Sequence, residues 1–373
     1  MKNKQLQINL KQVGFSLIEL LVGLIIGLLT TLVIMQVFSV FEGQKRTTSG
    51  TTDAQTNGSI GLYSLQRDVQ LAGFGLPLFD QRHMPLNCTD TVFNLAAVAA
   101  PAMSATTANL VPITITDRAS SLGGDTIAVR YGNSTSGGVP MLVTSSSAGT
   151  TVTLDTSVGC AIKDTVIAVT ESTCVVTRVT GFTVPNKVNI SPAITVDIGS
   201  DPKFSTRFSC VGMWNDVTYS VSGTQLIKDS TPDGVANGTP IVDGIVSLQA
   251  QYGISAANNQ NQVAQWVDAT GIWANTATTP SLANRNRIKA VRVAIIARNG
   301  LLEKGVVSAG CSSTTNPNPT GVCAWDATSA SPTTASPAPT VDLTHLADWN
   351  RYRYKVYESV IPLRNMIWAK DRL

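Results

Sequence analysis

Hydrophobic and polar positions divide the chain into three regimes. Residues 1–13 are short, polar and basic. From Gly14 the pattern becomes almost uniformly apolar, GFSLIELLVGLIIGLLTTLVIMQVFSVF, and stays so to Phe41. That run exceeds the roughly 20 apolar residues a helix needs to cross a bilayer. After Gly43 the chain turns polar, with Gly50 and Gly58 weakening any helix. Helical spacing resumes with Ile60, Leu62, Leu65, Val69 and Ala72, placing Arg67 and Asp68 on the polar side. Gly73-Phe74-Gly75-Leu76-Pro77 then ends it. The spacing predicts one long helix over residues 15–72, softened around 47–58.

Beyond about residue 85 the period changes to that of strands. Short β-branched runs at Thr126–Tyr131, Thr151–Leu154, Thr165–Thr170, Cys174–Val179 and Val217–Val221 are separated by Gly, Ser, Asn or Pro. Val217–Val221, Ser222-Gly223 and Thr224–Ile227 predict a hairpin. Ile245–Ile254 and Ile288–Arg298 are the longest strand candidates. In the second, Val291, Val293 and Ile295 form a buried face and Arg292, Ala294 and Ile296 a partly polar one. Residues 309–342, rich in Pro, Ser and Thr, read as a long exposed loop. Tyr352, Tyr354 and Val356, alternating with Arg351, Arg353 and Lys355, predict a last strand. One long helix followed by many strands is an α+β arrangement, a hydrophobic helix packed on an antiparallel, β-rich head. The expected divisions are a leader at 1–14, the N-terminal helix at 15–75 with its first half in the membrane, and the head at 76–373.

Composition and charge refine this picture. Only 14% of residues are charged, well below the roughly 25% of average proteins; Ser, Thr, Asn and Gly take their place, which suits β-structure outside the cytoplasm. Lys2, Lys4 and Lys11 precede Gly14 in a segment without acids, and removing them from the 27 basic residues leaves 24 against 24 acidic. The net charge of +3 thus belongs to the leader, and the remainder has no global attraction to nucleic acid. The same lysines, on the N-terminal side of the apolar run, orient the head away from the cytoplasm. The run is longer than the core of a secretory signal and lacks a small-x-small cleavage site near its end.

The six cysteines all follow the apolar run. They form no C-x-x-C pair, and His83 and His345 are the only histidines, so disulfides fit better than a metal. Sequence proximity favours Cys311–Cys323, then Cys160–Cys174, leaving Cys88–Cys210. No G-x-x-x-x-G-K-[ST], H-E-x-x-H or G-x-S-x-G occurs, and the chain reads as neither an enzyme nor a cofactor binder. Asp229 and Asp233 lack EF-hand spacing and read as a turn. Arg285, Arg287, Lys289, Arg292 and Arg298, with Arg351, Arg353 and Lys355, could line a basic patch. Charges at strand edges more commonly form solvated faces, so nucleic acid is not the expected partner.

One residue breaks the pattern of a plain membrane anchor. Glu19 puts a carboxylate about one turn, roughly 6 Å, inside the apolar run, where burial in hydrocarbon costs from about 2.5 kcal/mol upward at a helix centre. Gly14-Phe15-Ser16-Leu17-Ile18-Glu19 after a short basic leader resembles the class III signal of type IV pilins and type II secretion pseudopilins. The resemblance implies cleavage by prepilin peptidase between Gly14 and Phe15, N-methylation of Phe15, and a filament-assembly role for Glu19 at the fifth mature position. There its carboxylate would pair with the new amine of a neighbouring helix, offsetting the desolvation of both.

The head narrows the resemblance. Arg67-Asp68 followed by Ala72-Gly73-Phe74, and the basic closing strand ending in Leu363-Arg364-Asn365, resemble the PilW family of minor pilins. Membership would imply an inner-membrane subunit with a periplasmic head in a Gram-negative bacterium, joining the pilus at the cell surface. It would start pilus assembly at the filament tip, in support of twitching motility or cell adhesion. The implied partners are other minor pilins, the major pilin, prepilin peptidase, the inner-membrane assembly machinery and a large PilY-family adhesin. A J-type pseudopilin of type II secretion is the alternative, and a DNA-contacting competence pilin a more distant one.

Overall fold

The computed structural model describes residues 14, 16–76, 90–93, 110–118, 122–136, 138–146, 150–169, 173–191, 207–230, 238–258, 260–276, 280–312, 318–325 and 338–367. In chain order the elements are α1 (Leu17–Leu71), β1 (Asp90–Phe93), β2 (Ile113–Thr116), β3 (Thr126–Tyr131), β4 (Met141–Ser146), β5 (Thr151–Leu154), β6 (Thr165–Val169), β7 (Thr173–Val184) and β8 (Lys187–Ser191). There follow β9 (Arg207–Gly212), β10 (Asn215–Ser222), β11 (Gln225–Ser230), β12 (Thr239–Asp243), β13 (Ile245–Ser255), β14 (Val263–Val267), α2 (Leu282–Arg285), β15 (Ile288–Arg298), β16 (Tyr354–Pro362) and α3 (Arg364–Ile367).

Two compact units divide the chain, one ending at Thr51 and the other spanning Thr52–Leu373. The described part of the first is helix, and its side chains from Leu17 to Phe41 are all exposed. Thr30 and Thr31, near the middle of this run, donate their hydroxyls to the carbonyls of Ile26 and Gly27 at 2.7 Å. The helix thereby satisfies them internally, as an apolar surrounding requires.

In the second unit, helical residues from Thr52 onward pack against two antiparallel sheets. Sheet order β12-β11-β10-β3-β2 forms one, and β14-β13-β15-β16 the other. Leu65, Val69 and Ala72 share one core with Ile113, Ile127 and Tyr219 of the first sheet and Leu248, Val291, Val293 and Ile295 of the second. Each large aliphatic side chain so buried contributes about 1.5–3 kcal/mol. The expected softening at 47–58 is absent, because α1 runs unbroken. Gly58 serves close approach instead: a Cβ there would overlap the ring of Tyr357.

The third sheet was not legible as such in the sequence. Its order is β1-β7-β6-β9-β4-β5-β8, and β8 also pairs with β7, so six strands close into an antiparallel barrel with β1 laid parallel on β7. Phe208, Met141, Val166, Val188 and Ile190 fill it. The barrel is inserted between β3 and β10, which pair directly with each other across it.

Several expectations need correction. Cys311–Cys323 forms as expected, but Cys160 bonds Cys210, overturning Cys160–Cys174 and Cys88–Cys210. Strand pairing explains this. Cys160 precedes the start of β6, near which Cys210 lies opposite Val166, whereas Cys174 is opposite Val169 at the far end. Cys88 and the side chain of Cys174 lie outside the described residues. The last strand begins later than predicted, at Tyr354. Within 309–342, Ala324 and Val341 are buried against Val246, Ala294 and Ile296, so parts of this loop cover the sheet face opposite α1. Asp233 and Phe15 fall outside the described residues.

Candidate functional site

The first locus is the start of α1. Gly14 is exposed, with open space where a Cβ would stand. Ser16 precedes the first helical residue, and its backbone N–H donates to Glu19 Oε2 at 3.0 Å while its Oγ accepts from the N–H of Ile18 at 3.4 Å. This is a capping box, S-x-x-E, in which the two side chains satisfy helix-terminal donors reciprocally. The S-x-x-E spacing of Ser16 and Glu19 is itself the sequence signal for this cap. Glu19 therefore has a local task, closing the first turn, in addition to any contact with a neighbour.

The second locus ties the end of α1 to the sheets. Asp68, placed by periodicity on the polar side, is only 1% exposed. Its Oδ2 accepts from the Tyr219 hydroxyl and from Lys228 Nζ, both at 2.6 Å, and Arg67 Nε lies 3.6 Å from Oδ1. Tyr219 also contacts Ser64 Oγ at 2.9 Å. Burial, with the acceptor Asp68 beside it, holds the Tyr219 phenol well above its ordinary pKa. One turn on, Gly73 takes φ +77°, and its N–H donates to Arg130 O at 2.9 Å. Asn365 Nδ2 donates to Ala72 O at 3.0 Å, capping a carbonyl the helix leaves open. The two motifs at Arg67–Phe74 and Leu363–Asn365, nearly 300 positions apart, thus meet at one helix end. Replacing Asn365 by alanine should cost about 1 kcal/mol in urea unfolding, the usual net value of one such bond; an unchanged midpoint would deny the cap any weight.

Among the described residues, the cations that could have lined a basic patch are not gathered into one. Lys289 is fully buried, and Arg292, 2% exposed, lies between the rings of Trp266 and Trp325, at 5.1 and 5.6 Å. Burial lowers the pKa of Arg292 to about 10. Arg287 covers Trp273 and Arg298 covers Tyr352. These cations are spread over separate aromatic contacts instead of forming one solvated face. Among the described residues no group of three or more His, Cys, Asp or Glu could hold a metal.

A long apolar helix and an antiparallel β-rich head, with the two helix-end motifs in contact, are the features of a type IV pilin-like fold. The sequence model of the PilW family, type IV pilus-assembly protein W, matches residues 217–365. That match runs from β10 to Asn365 and leaves the inserted barrel outside it. Among solved structures, a type IV-like pilin from Thermus thermophilus is similar at 11% identity, covering 83% of this chain and 94% of that one with a TM-score of 0.32. No curated protein matches.

Proposed function

We propose that this chain is a PilW-like minor pilin, cut between Gly14 and Phe15 and methylated on Phe15, which helps to start type IV pilus assembly at the filament tip. The observation that carries the reading is the pairing of a Gly-Phe-Ser-Leu-Ile-Glu helix start, on a fully exposed apolar run, with a head matched by the PilW family. The exposed run would reside first in the inner membrane, with the head in the periplasm, and then among the helices of other pilins. A bulky head suits the tip, where no subunit need stack above it, and where a large PilY-type adhesin could join. The divisions at 1–14, 15–75 and 76–373 belong to this reading, with the helix itself ending at Leu71.

Glu19 provides the test, because two roles converge on it. Glu19→Gln keeps a neutral acceptor for the Ser16 N–H, whereas Glu19→Ala loses both acceptor and charge. If the charge pairs with a neighbour's N-terminal amine, both variants are cleaved normally but fall at least tenfold in sheared filaments relative to membranes. Wild-type filament yield from Glu19→Gln would overturn the pairing. Loss of exoprotein secretion with pili intact, on deletion of the chain, would assign it to type II secretion instead.

A further inference from the structure

The hydrophobic interior of the head is divided, and the division follows the chain. One cluster of buried side chains, with Met141, Val143, Val166, Val188 and Phe208, draws only on β4–β9. Another holds α1 to the two smaller sheets through residues such as Leu65, Ile127, Tyr219, Leu248 and Val293, and takes no side chain from those six strands. Among the described residues no ladder of backbone hydrogen bonds joins the barrel's sheet to the other two. Barrel and body meet at a neck. There Ile167, Val169, Val176 and Val211 pack with Leu76, Leu110 and Trp214, and the Gly132 N–H donates to Phe74 O at 2.7 Å.

The two connections through the neck are bonded to each other. The N–H groups of Asn133 and Ser134 donate to Val211 O at 2.9 and 3.0 Å, and that of Met213 donates to Asn133 Oδ1 at 2.6 Å. Just outside them Tyr131 and Asn215 are already cross-strand partners, followed by Arg130 with Asp216 and Val129 with Val217. The register of β3 on β10 is therefore set by its own ladder. Loop-closure entropy grows only slowly with length, so this ladder tolerates residues 132–214 as an unfolded loop nearly as well as a shorter one. Within the barrel, Cys160–Cys210 ties the β5–β6 connection to β9 and limits the entropy the barrel gains on unfolding.

We infer that the barrel is a separately unfolding module, and that α1 with the two smaller sheets forms the assembly-competent body without it. Cooperative units follow shared packing, and the two large cores share no side chain. The PilW match, over residues 217–365, falls wholly within the body. Assembly competence rests on the minor-pilin reading, whereas separate unfolding rests on packing alone.

The test is hydrogen–deuterium exchange, followed by mass spectrometry, on the full detergent-solubilised chain carrying Phe208→Ala or Val188→Asp. The first opens a cavity among fully buried barrel side chains and the second places a charge there. Peptides from β4–β9 should exchange roughly tenfold faster than in the native chain, while those from β13, β15 and β16 stay within about twofold. Both variants should still yield sheared filaments, measured per processed chain, in cells lacking the native protein. Equal acceleration in β13 and β15 would show one cooperative head and overturn the inference, as would barrel peptides unchanged by both substitutions. Filaments lost while β13 and β15 keep native protection would place part of the assembly surface on the barrel and overturn the claim for the body. A native chain that supports no filaments would instead sink the minor-pilin reading, with exchange still deciding whether the barrel unfolds by itself.

Discussion

Asp68→Ala should destabilise the head by about 3 kcal/mol in urea unfolding of the detergent-solubilised chain, the low end of the cost of breaking a buried ion pair. The carboxylate is buried, and both the Tyr219 hydroxyl and Lys228 Nζ converge on Oδ2 at 2.6 Å. Removing it leaves a buried phenol with only Ser64 as partner and an ammonium that keeps only the face of the Tyr219 ring, 5.6 Å away. The low end applies because the Lys228 side chain is 19% exposed and can turn partly to water. Competing against this, removal also relieves Asp68 Oδ1, which lacks a hydrogen-bond partner. Asp68→Asn separates the effects: it keeps a neutral acceptor for Tyr219 but no charge for Lys228, and should lie between wild type and alanine. A double-mutant cycle with Lys228→Met should return a coupling of about 1–3 kcal/mol. Additive losses would mean that the ion pair contributes nothing beyond packing.

The same residue shows where local pattern stops being informative. The apolar stripe of Leu65, Val69 and Ala72 was legible because periodicity is a property of neighbours along the chain, and the structure buries all three. Asp68 lies at the edge of that stripe, about 40° beyond Ala72, and only its partners on β10 and β11, more than 150 positions away, make its burial tolerable. Strand β15 followed the same rule: its limits, Ile288–Arg298, were readable, but not the burial of Arg292, which depends on Trp266 and Trp325 from distant segments. The barrel was missed for a related reason. Its strands β5 and β6 were individually visible, yet closure depends on the pairing of β7 with β8 and of β6 with β9, and no local signal encodes those partners. The Cys160–Cys174 and Cys88–Cys210 assignments failed with it, since proximity in sequence favoured Cys174 over Cys210 for Cys160, whereas it gave Cys311–Cys323 correctly. At the helix start the reverse held, for Ser16 and Glu19 are three residues apart and their capping box was fully encoded locally.

Between pH 4 and pH 8 the head should lose stability that Asp125→Asn retains. Gly123 and Gly124, at φ +87° and +84°, carry the chain against β13, where Asp125 N–H donates to Leu248 O at 2.8 Å. The Asp125 side chain is thereby placed 5% exposed, with Oδ2 accepting the Ala250 N–H at 2.7 Å. Burial raises its pKa from 3.8 to about 8, with Asp117 and Asp268 adding repulsion, against the lowering effect of the Ala250 and Arg118 N–H groups. The sign follows from proton uptake. Above pH 4 the unfolded carboxyl is ionised while the folded one keeps its proton until about pH 8, so the folded state binds more protons and stability falls as pH rises through this window. A shift of about four pH units corresponds to at most about 6 kcal/mol, at 1.36 kcal/mol per unit. Asparagine keeps an acceptor for Ala250 and has no charge to desolvate. Urea unfolding from pH 4.5 to 8 should therefore give a steeper decline for the native chain than for Asp125→Asn, with the variant the more stable at the alkaline end. Parallel curves would show that Asp125 is already ionised at neutral pH, its desolvation offset by the two backbone donors.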